Sequence, residues 1–173
     1  MAPAKQEQDI VVQIAKKFNG LDVDLPEIRK LVKAVCNRFK LSKATVSIAI
    51  VDDAEIRRVN EQFLSCDSAT DCLSFNLSDD ERRIGKRNEK GLGSCQPSKL
   101  FELLVNGEMA VKEASLRGHS SEAELALYVT HGLLHNLGFD DSTKAQAKKM
   151  HDTEDEILQQ LGYGLVYNKG LSE

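Results

Sequence analysis

The feature that most constrains this chain is a pair of histidines, His131 and His135, four residues apart in an apolar stretch. On a helix, that spacing places both imidazole rings on one face, one turn apart, so both can bind the same metal ion. Gly138 allows the chain to leave the helix and turn back toward the rings. Asp141 follows and is the expected third ligand. We therefore expect a metal site at the carboxyl-terminal end of a central helix.

Three protein ligands leave a fourth position for water, which distinguishes a catalytic zinc site from a structural one. The two histidines could instead be hydrogen-bonded core residues. Metal binding is favoured because two of the four histidines in the chain stand at ligand spacing. Asp140 is a rival third ligand, or a carboxylate that accepts a hydrogen bond from a ligating imidazole. We expect one divalent ion, Zn²⁺ first, with Mn²⁺ or Fe²⁺ open because Asp141 supplies a carboxylate.

Strands and helices both surround this motif. Apolar, β-branched runs predict four strands, at residues 10–15, 45–51, 72–77 and 100–105. Three-and-four spacing of apolar residues predicts helices, one of them capped by Asp52 or Asp53 and carrying Phe63 on its apolar side. This order predicts an α+β fold, with a mixed sheet of about four strands covered by helices.

The length of 173 residues suits one domain spanning residues 1–173. Within it, residues 1–8 and 164–173 are expected to be loose tails, and residues 78–98 a long charged loop. The net charge of -4 requires any nucleic-acid partner to meet a local basic patch. Residues 81–91 offer such a patch, although a solvated surface loop would have the same composition. The basic residues there are Arg82, Arg83, Lys86, Arg87 and Lys90.

The amino terminus lacks the apolar run of a secretion signal, and no stretch reaches the length of a membrane span. These observations predict a cytoplasmic protein with no membrane partner. The cysteines at positions 36, 66, 72 and 95 form no Cys-x-x-Cys pair, so we expect free thiols.

The segment HGLLHNLGFDD at residues 131–141 resembles the signature of the YbeY family of metal-dependent single-strand endoribonucleases. Further motifs match in order, so the resemblance covers residues 45–163. They are VDDAEIRRVNEQF at 51–63, TDCLSF at 70–75, FELLVN at 101–106 and LGY at 161–163. The resemblance implies cleavage of single-stranded ribosomal RNA during its maturation, with the ribosome or a ribosome-associated protein as a further partner.

The resemblance also implies site residues. It makes His131, His135 and Asp141 the metal ligands, with Asp141 standing where the family has a third histidine. Leu64 stands where the family has an arginine, so a basic contact to RNA is missing from its usual place. The general base is unidentified. Implied residues of the substrate cleft are Thr70 and Asp71, with Asp140 and Ser74 as candidates for a catalytic role. Independently of the resemblance, the positive charge of residues 81–91 makes Arg82, Arg83, Lys86 and Arg87 candidates for RNA phosphate contacts.

Three alternatives remain open. The histidine spacing also occurs in metzincin peptidases, but Gly132 stands where their catalytic glutamate belongs, so a zinc metalloprotease would lack its base. A catalytically inactive ribosome-associated binding protein is the second alternative. The third is an iron oxygenase with two histidines and one carboxylate. The two other histidines are expected outside the site, His151 on the surface of the last helix and His119 in a loop.

Overall fold

The computed structural model describes residues 8–79 and 98–168. Four strands and five helices lie in these ranges, which confirms the predicted α+β class. The strands are β1 (Asp9–Lys16), β2 (Lys43–Val51), β3 (Cys72–Asn76) and β4 (Lys99–Asn106). The helices are α1 (Leu25–Arg38), α2 (Asp53–Leu64), α3 (Gly107–Arg117), α4 (Ser121–Asn136) and α5 (Lys144–Gln160).

The strands form one mixed sheet in the spatial order β1-β2-β4-β3. The pairs β1–β2 and β2–β4 are parallel, and β3 runs antiparallel to β4. Cys72 at the start of β3 pairs with Val105 near the end of β4, and the N–H of Asn106 donates to the carbonyl of Asp71. The residues that precede β3 therefore lie beside the start of α3.

The two faces of the sheet are covered unequally. One face packs against α1 and α4 in the main core, where α4 is buried on nearly every side and α5 packs against α4. The other face carries a smaller cluster under α2, which includes Ile56, Val59 and Leu73. Phe63 was expected on the apolar side of α2, but it is 62% exposed and contacts the ring of Phe75 edge-on. Phe63 is thus on the apolar side of α2, as expected, but the buried cluster ends one turn before it.

Each helix begins at a polar residue whose side chain accepts a backbone N–H of the first turn, as helix starts require. Asp52, not Asp53, caps α2, and Ser120 caps the central helix α4. Thr143 caps α5. These side chains fix where each helix starts.

Residues 164–168 are not the loose tail that we expected. Val166 is fully buried, and the buried carboxylate of Asp155 accepts the backbone N–H groups of Val166, Tyr167 and Asn168 at 3.1, 3.0 and 3.1 Å. A buried carboxylate is stable when its oxygens are satisfied, and here backbone donors satisfy them. Residues 1–7, 80–97 and 169–173 lie outside the described residues, so the loop and tails expected there stay predictions.

Two further expectations concern the thiols and the membrane. Cys36, Cys66 and Cys72 are free, and Cys95 lies outside the described residues. Within the described ranges, no helix combines the length and the apolar character needed to cross a bilayer.

A polar junction holds α2, β4 and α3 together next to the start of β3. The buried side chain of Asn106 caps α3, and its Nδ2 donates to Asp53 Oδ1 at 2.6 Å and to the carbonyl of Thr70 at 3.1 Å. Lys112 Nζ lies 2.7 Å from Asp53 Oδ2. The hydrogen bond from Lys112, followed by the one from Asn106, holds the pKa of Asp53 below its usual 3.8. The junction thereby fixes the backbone on which Thr70 and Asp71 stand.

We expect Asp53→Asn to lower the free energy of unfolding by about 0.5–1 kcal/mol at pH 7, a small effect because the carboxylate is partly exposed. A carboxylate whose pKa is depressed by folding stabilises the protein above its unfolded pKa and loses that contribution as the pH falls through the folded value. Urea denaturation at pH 7 and pH 3 measures this. The difference between wild type and variant should shrink at pH 3, and a constant difference would contradict the assignment.

Candidate metal centre

The last turns of α4 and the loop after it bring three ligand atoms together. His131 and His135 project from one face of α4, and their Nε2 atoms are 3.1 Å apart. Gly138 has φ +95°, a conformation that favours glycine, and it turns the chain back on itself. Asp141 Oδ2 then lies 3.8 Å from His131 Nε2 and 3.7 Å from His135 Nε2. The predicted trio is therefore assembled at the carboxyl-terminal end of the central helix.

The spacing of these atoms fits a single divalent ion. Bonds of about 2.0–2.2 Å to zinc correspond to ligand–ligand separations of about 3.3–3.6 Å in a tetrahedron. The separations of 3.1, 3.8 and 3.7 Å bracket that range. Two imidazoles and one carboxylate suit Zn²⁺, Fe²⁺ and Mn²⁺. The group could hold a divalent metal without any change of fold.

Hydrogen bonds orient both imidazoles for this role. His131 Nδ1 lies 2.7 Å from Glu154 Oε1, and His135 Nδ1 lies 3.2 Å from the carbonyl of Phe139. Because carboxylate and carbonyl oxygens only accept hydrogen bonds, each Nδ1 carries the proton. The lone pair of each ring is then on Nε2, which points toward Asp141.

Glu154 is the residue of the site whose role the sequence argument missed. It is fully buried on α5, on the same side as Met150, Ile157 and Leu158. A carboxylate at a core position of an amphipathic helix was the available signal, because glutamate is almost never fully buried unless it is paired.

Asp140 does not accept a hydrogen bond from a ligating imidazole, so the role that we weighed for it belongs to Glu154. Its Oδ1 accepts the N–H groups of Asp141 and Ser142 at 2.8 and 3.2 Å, and its Oδ2 accepts the Ser142 hydroxyl at 2.7 Å. These bonds, the one from the Ser142 hydroxyl first, hold the pKa of Asp140 below its usual value. Asp140 shapes the turn that presents Asp141.

The charges around His131 attract a cation. Burial opposes protonation of this ring, but the hydrogen bond to Glu154 and the negative charges of Glu154, Asp71 and Asp141 outweigh it. The pKa of His131 is therefore raised above its usual 6.5. The same carboxylates that favour a proton on the ring favour a metal ion beside it.

A cavity of about 370 Å³ adjoins His131 on the side of β3 and α3. We call it the cleft; Thr70 and Asp71 line it as predicted, together with Glu113 and Tyr128. Arg117 also lines it, but its guanidinium is bound to Glu124 at 3.2 Å and to the carbonyl of Tyr167 at 2.9 Å. No unpaired cation faces the cleft among the residues that the structure describes.

Other predicted residues lie outside the cleft. Ser74 is on β3 but does not belong to the lining. Leu64 is the last residue of α2 and is 59% exposed. It therefore presents an apolar side chain at the position where the family has an arginine. Arg82, Arg83, Lys86 and Arg87 are outside the described residues.

His151 is more buried than expected, whereas His119 lies where it was expected. His151 donates from Nδ1 to Glu154 Oε2 at 2.7 Å and stacks on Tyr167, so the expectation of a surface residue is wrong. His119 is in the loop between α3 and α4, as expected, and its ring contacts the buried carboxylate of Glu124.

Gly132 faces the sheet and not the cleft. A Cβ added there would lie 2.6 Å from Cys72 Sγ and 2.9 Å from Leu103 Cδ2, well inside contact distance. The position that carries the catalytic glutamate in metzincins therefore has no room for a side chain in this packing. A metalloprotease at this site would therefore lack its catalytic base.

Comparison with known proteins gives consistent matches over most of the chain. A family model described as Endoribonuclease YbeY matches residues 13–162. The endoribonuclease YbeY of Roseiflexus sp. (strain RS-1) is 37% identical over 158 residues, which are 90% of this chain and 94% of the relative. The endoribonuclease YbeY of Bacillus licheniformis is 33% identical over 139 residues, 80% of this chain and 85% of the relative.

A solved structure shares the fold. The solution structure of TM1509 from Thermotoga maritima superposes with a TM-score of 0.52 and covers 87% of this chain and 91% of that one. Its sequence identity of 22% supports a common fold and nothing finer.

We expect Gly132→Ala to destabilise the protein by about 1–3 kcal/mol, because the new methyl group overpacks the contact with β3. At an unobstructed helix position, the same change would stabilise by about 0.5–1 kcal/mol. Chemical denaturation measures the difference. Adding Cys72→Ala, which removes the nearest atom, should recover part of the stability relative to Cys72→Ala alone; strictly additive effects would contradict the packing argument.

Metal content tests the ligand set. Elemental analysis of purified wild type should find about one equivalent of a divalent transition metal, and His131→Ala and Asp141→Asn should lose it. Asp140→Asn is the matched control and should keep the metal, because asparagine can still accept the two backbone N–H groups of the turn. If Asp140→Asn loses the metal and Asp141→Asn retains it, the third ligand is Asp140.

Proposed function

The chain belongs to the endoribonuclease YbeY family, and from this membership we propose that it is a metal-dependent endoribonuclease that cleaves single-stranded RNA during ribosomal RNA maturation. One observation supports the proposal most: His131, His135 and Asp141 converge with both Nε2 lone pairs available, next to a cleft. A metal ion held there would act as a Lewis acid on a phosphodiester that reaches it from the cleft.

His131, His135 and Asp141 would hold the ion. A divalent ion in that position polarises a phosphoryl oxygen and lowers the pKa of water toward neutrality. We propose Zn²⁺ as the ion, with Mn²⁺ and Fe²⁺ as alternatives that the Asp141 carboxylate favours relative to a third imidazole.

We propose that the cleft takes a nucleobase next to the cleaved phosphodiester. Asp71 Oδ1 accepts the Thr70 hydroxyl at 3.1 Å and the N–H of Cys72 at 2.7 Å, which orient the carboxylate. A phosphate would be repelled by Asp71 and Glu113, whereas the amino groups of a base are donors that a carboxylate accepts. Asp71→Asn is therefore expected to change which oligonucleotides are cleaved while the metal content stays the same.

The RNA backbone needs cations from elsewhere in the chain, because Arg117 is paired with Glu124 and Leu64 carries no charge. We propose that the basic segment at residues 81–91 supplies them through Arg82, Arg83, Lys86 and Arg87. The charge of the segment supports this assignment, and these four residues lie outside the described part of the chain.

We assign no general base. Asp140 uses both carboxylate oxygens in its turn, and Ser74 is not among the residues that line the cleft. The location that we propose is the cytoplasm, with ribosomal RNA as substrate and the ribosome or a ribosome-associated protein as partner. The competing hypothesis, a catalytically inactive ribosome-binding protein, differs from it in one measurable respect, which is cleavage.

Cleavage of labelled single-stranded oligoribonucleotides of ribosomal sequence tests the proposal. Wild type with added Zn²⁺, Mn²⁺ or Fe²⁺ should cleave, a chelator should stop the reaction, and a fully paired duplex should resist it. His131→Ala and Asp141→Asn should fall to the level of RNA without enzyme, and Asp140→Asn should retain activity. Wild type that holds metal and co-sediments with ribosomes, yet cleaves none of these RNAs, would support the inactive binding protein.

The salt dependence of RNA binding tests the basic segment. Replacing Arg82, Arg83, Lys86 and Arg87 with serine should weaken binding and lower the slope of log affinity against log salt by about 0.7 for each phosphate group that these residues neutralise. The matched control replaces four exposed lysines outside the segment, namely Lys30, Lys33, Lys43 and Lys148. Equal slopes for the two quadruple variants would contradict a specific role for the segment.

A further inference from the structure

The carboxylate of Glu154 lies between two imidazoles and is shared equally by them. Its Oε1 is 2.7 Å from His131 Nδ1, and its Oε2 is 2.7 Å from His151 Nδ1. Glu154 has no solvent exposure, so its charge must be satisfied by these donors. The hydrogen bond that orients a metal ligand therefore shares its acceptor group with a second histidine.

From this arrangement we propose that His151 is a positioning residue of the metal centre, which holds Glu154 in the orientation that fixes the His131 ring. The proposal rests on the metal site put forward above. No other side chain of the described residues has a hydrogen bond to Glu154. Without the N–H of His151, Oε2 would be a buried acceptor without a donor, and the carboxylate would rotate or take up water to compensate. Either change loosens the bond to His131.

His151 is itself held in place from the other side. Its ring stacks on that of Tyr167 with centroids 3.5 Å apart and planes within 8° of parallel. The backbone of Tyr167 is fixed at both its polar groups, by Asp155 at its N–H and by Arg117 at its carbonyl. The segment at residues 164–168 thus acts on the metal centre through Tyr167, His151 and Glu154.

The three residues His131, His151 and Glu154 also lie close enough to be a second metal-binding group. The observed contacts favour hydrogen bonding. Both Nδ1–oxygen separations are 2.7 Å, the length of a charge-assisted N–H···O bond. A metal ion bound by Glu154 and both Nδ1 atoms would have to displace both protons and would leave His131 with the wrong nitrogen facing Asp141.

Zinc affinity of the full-length apoprotein, measured by competition with a chromophoric chelator, tests the proposal. His151→Leu keeps the bulk but removes the N–H, so its Kd for Zn²⁺ should rise about 10- to 100-fold, the usual effect of removing a group that orients a ligand. His151→Asn should restore affinity, since asparagine Nδ2 is the same number of bonds from the backbone as histidine Nδ1. If His151→Leu does not fold, His151→Ala, which also lacks the N–H and adds no charge, is compared with His151→Asn.

Two control comparisons separate positioning from general packing. Tyr167→Ala removes the stack and should weaken zinc binding, whereas Tyr167→Phe keeps the ring and should not. Lys148→Ala, an exposed position on the same helix, should leave the Kd unchanged. Unchanged zinc affinity in His151→Leu would overturn the positioning role of His151 and leave the proposed function intact. Two equivalents in wild type, with only one in His151→Leu, would also overturn it by making His151 a ligand. Wild type that binds no metal would instead contradict the proposed function.

Discussion

Glu154 carries a carboxylate with no exposure to solvent, and a buried charge is stable only where hydrogen bonds satisfy it. His131 and His151 supply those bonds at 2.7 Å each. The candidate metal centre depends on this contact, because it sets the tautomer of His131 and hence which nitrogen faces Asp141. It also joins α4 to α5, so the orientation of the His131 ring depends on how these two helices pack together.

The position of α4 follows from burial. The helix lies in the main core with apolar residues on nearly every side, and it approaches β3 so closely that Gly132 has no space for a side chain. This close approach brings the last turns of α4 beside the start of β3, where Thr70 and Asp71 face the cleft. The glycine that separates this chain from metzincin peptidases is therefore a packing requirement, and it also excludes their catalytic base from that position.

Negative and positive charge are concentrated in different regions of the chain, and we assign these regions different parts of the proposed function. Carboxylates dominate the metal centre and the cleft, where Asp71, Asp141 and Glu154 all act on His131. Such a region attracts a metal cation and the donor groups of a base, but it repels phosphate. The one arginine among the described lining residues is neutralised by Glu124. The excess of positive charge at residues 81–91 is the counterpart that a polyanionic substrate would require.

The sequence alone predicted the four strands, the helices between them and the cap of α2 to within a residue, because periodicity is a local property. Ligand spacing, which is also local, made His131, His135 and Asp141 the candidate metal ligands, with Asp140 as a rival. It also determined the family through motifs in order along the chain. Tertiary structure decided what depends on contacts between distant elements: Glu154 and His151 on α5 meet His131 on α4, and Asp155 anchors residues 164–168. It also exposed Phe63, since α2 covers only part of its face of the sheet. No local pattern reports which helix packs against which, so partners from different elements became visible only in the folded chain.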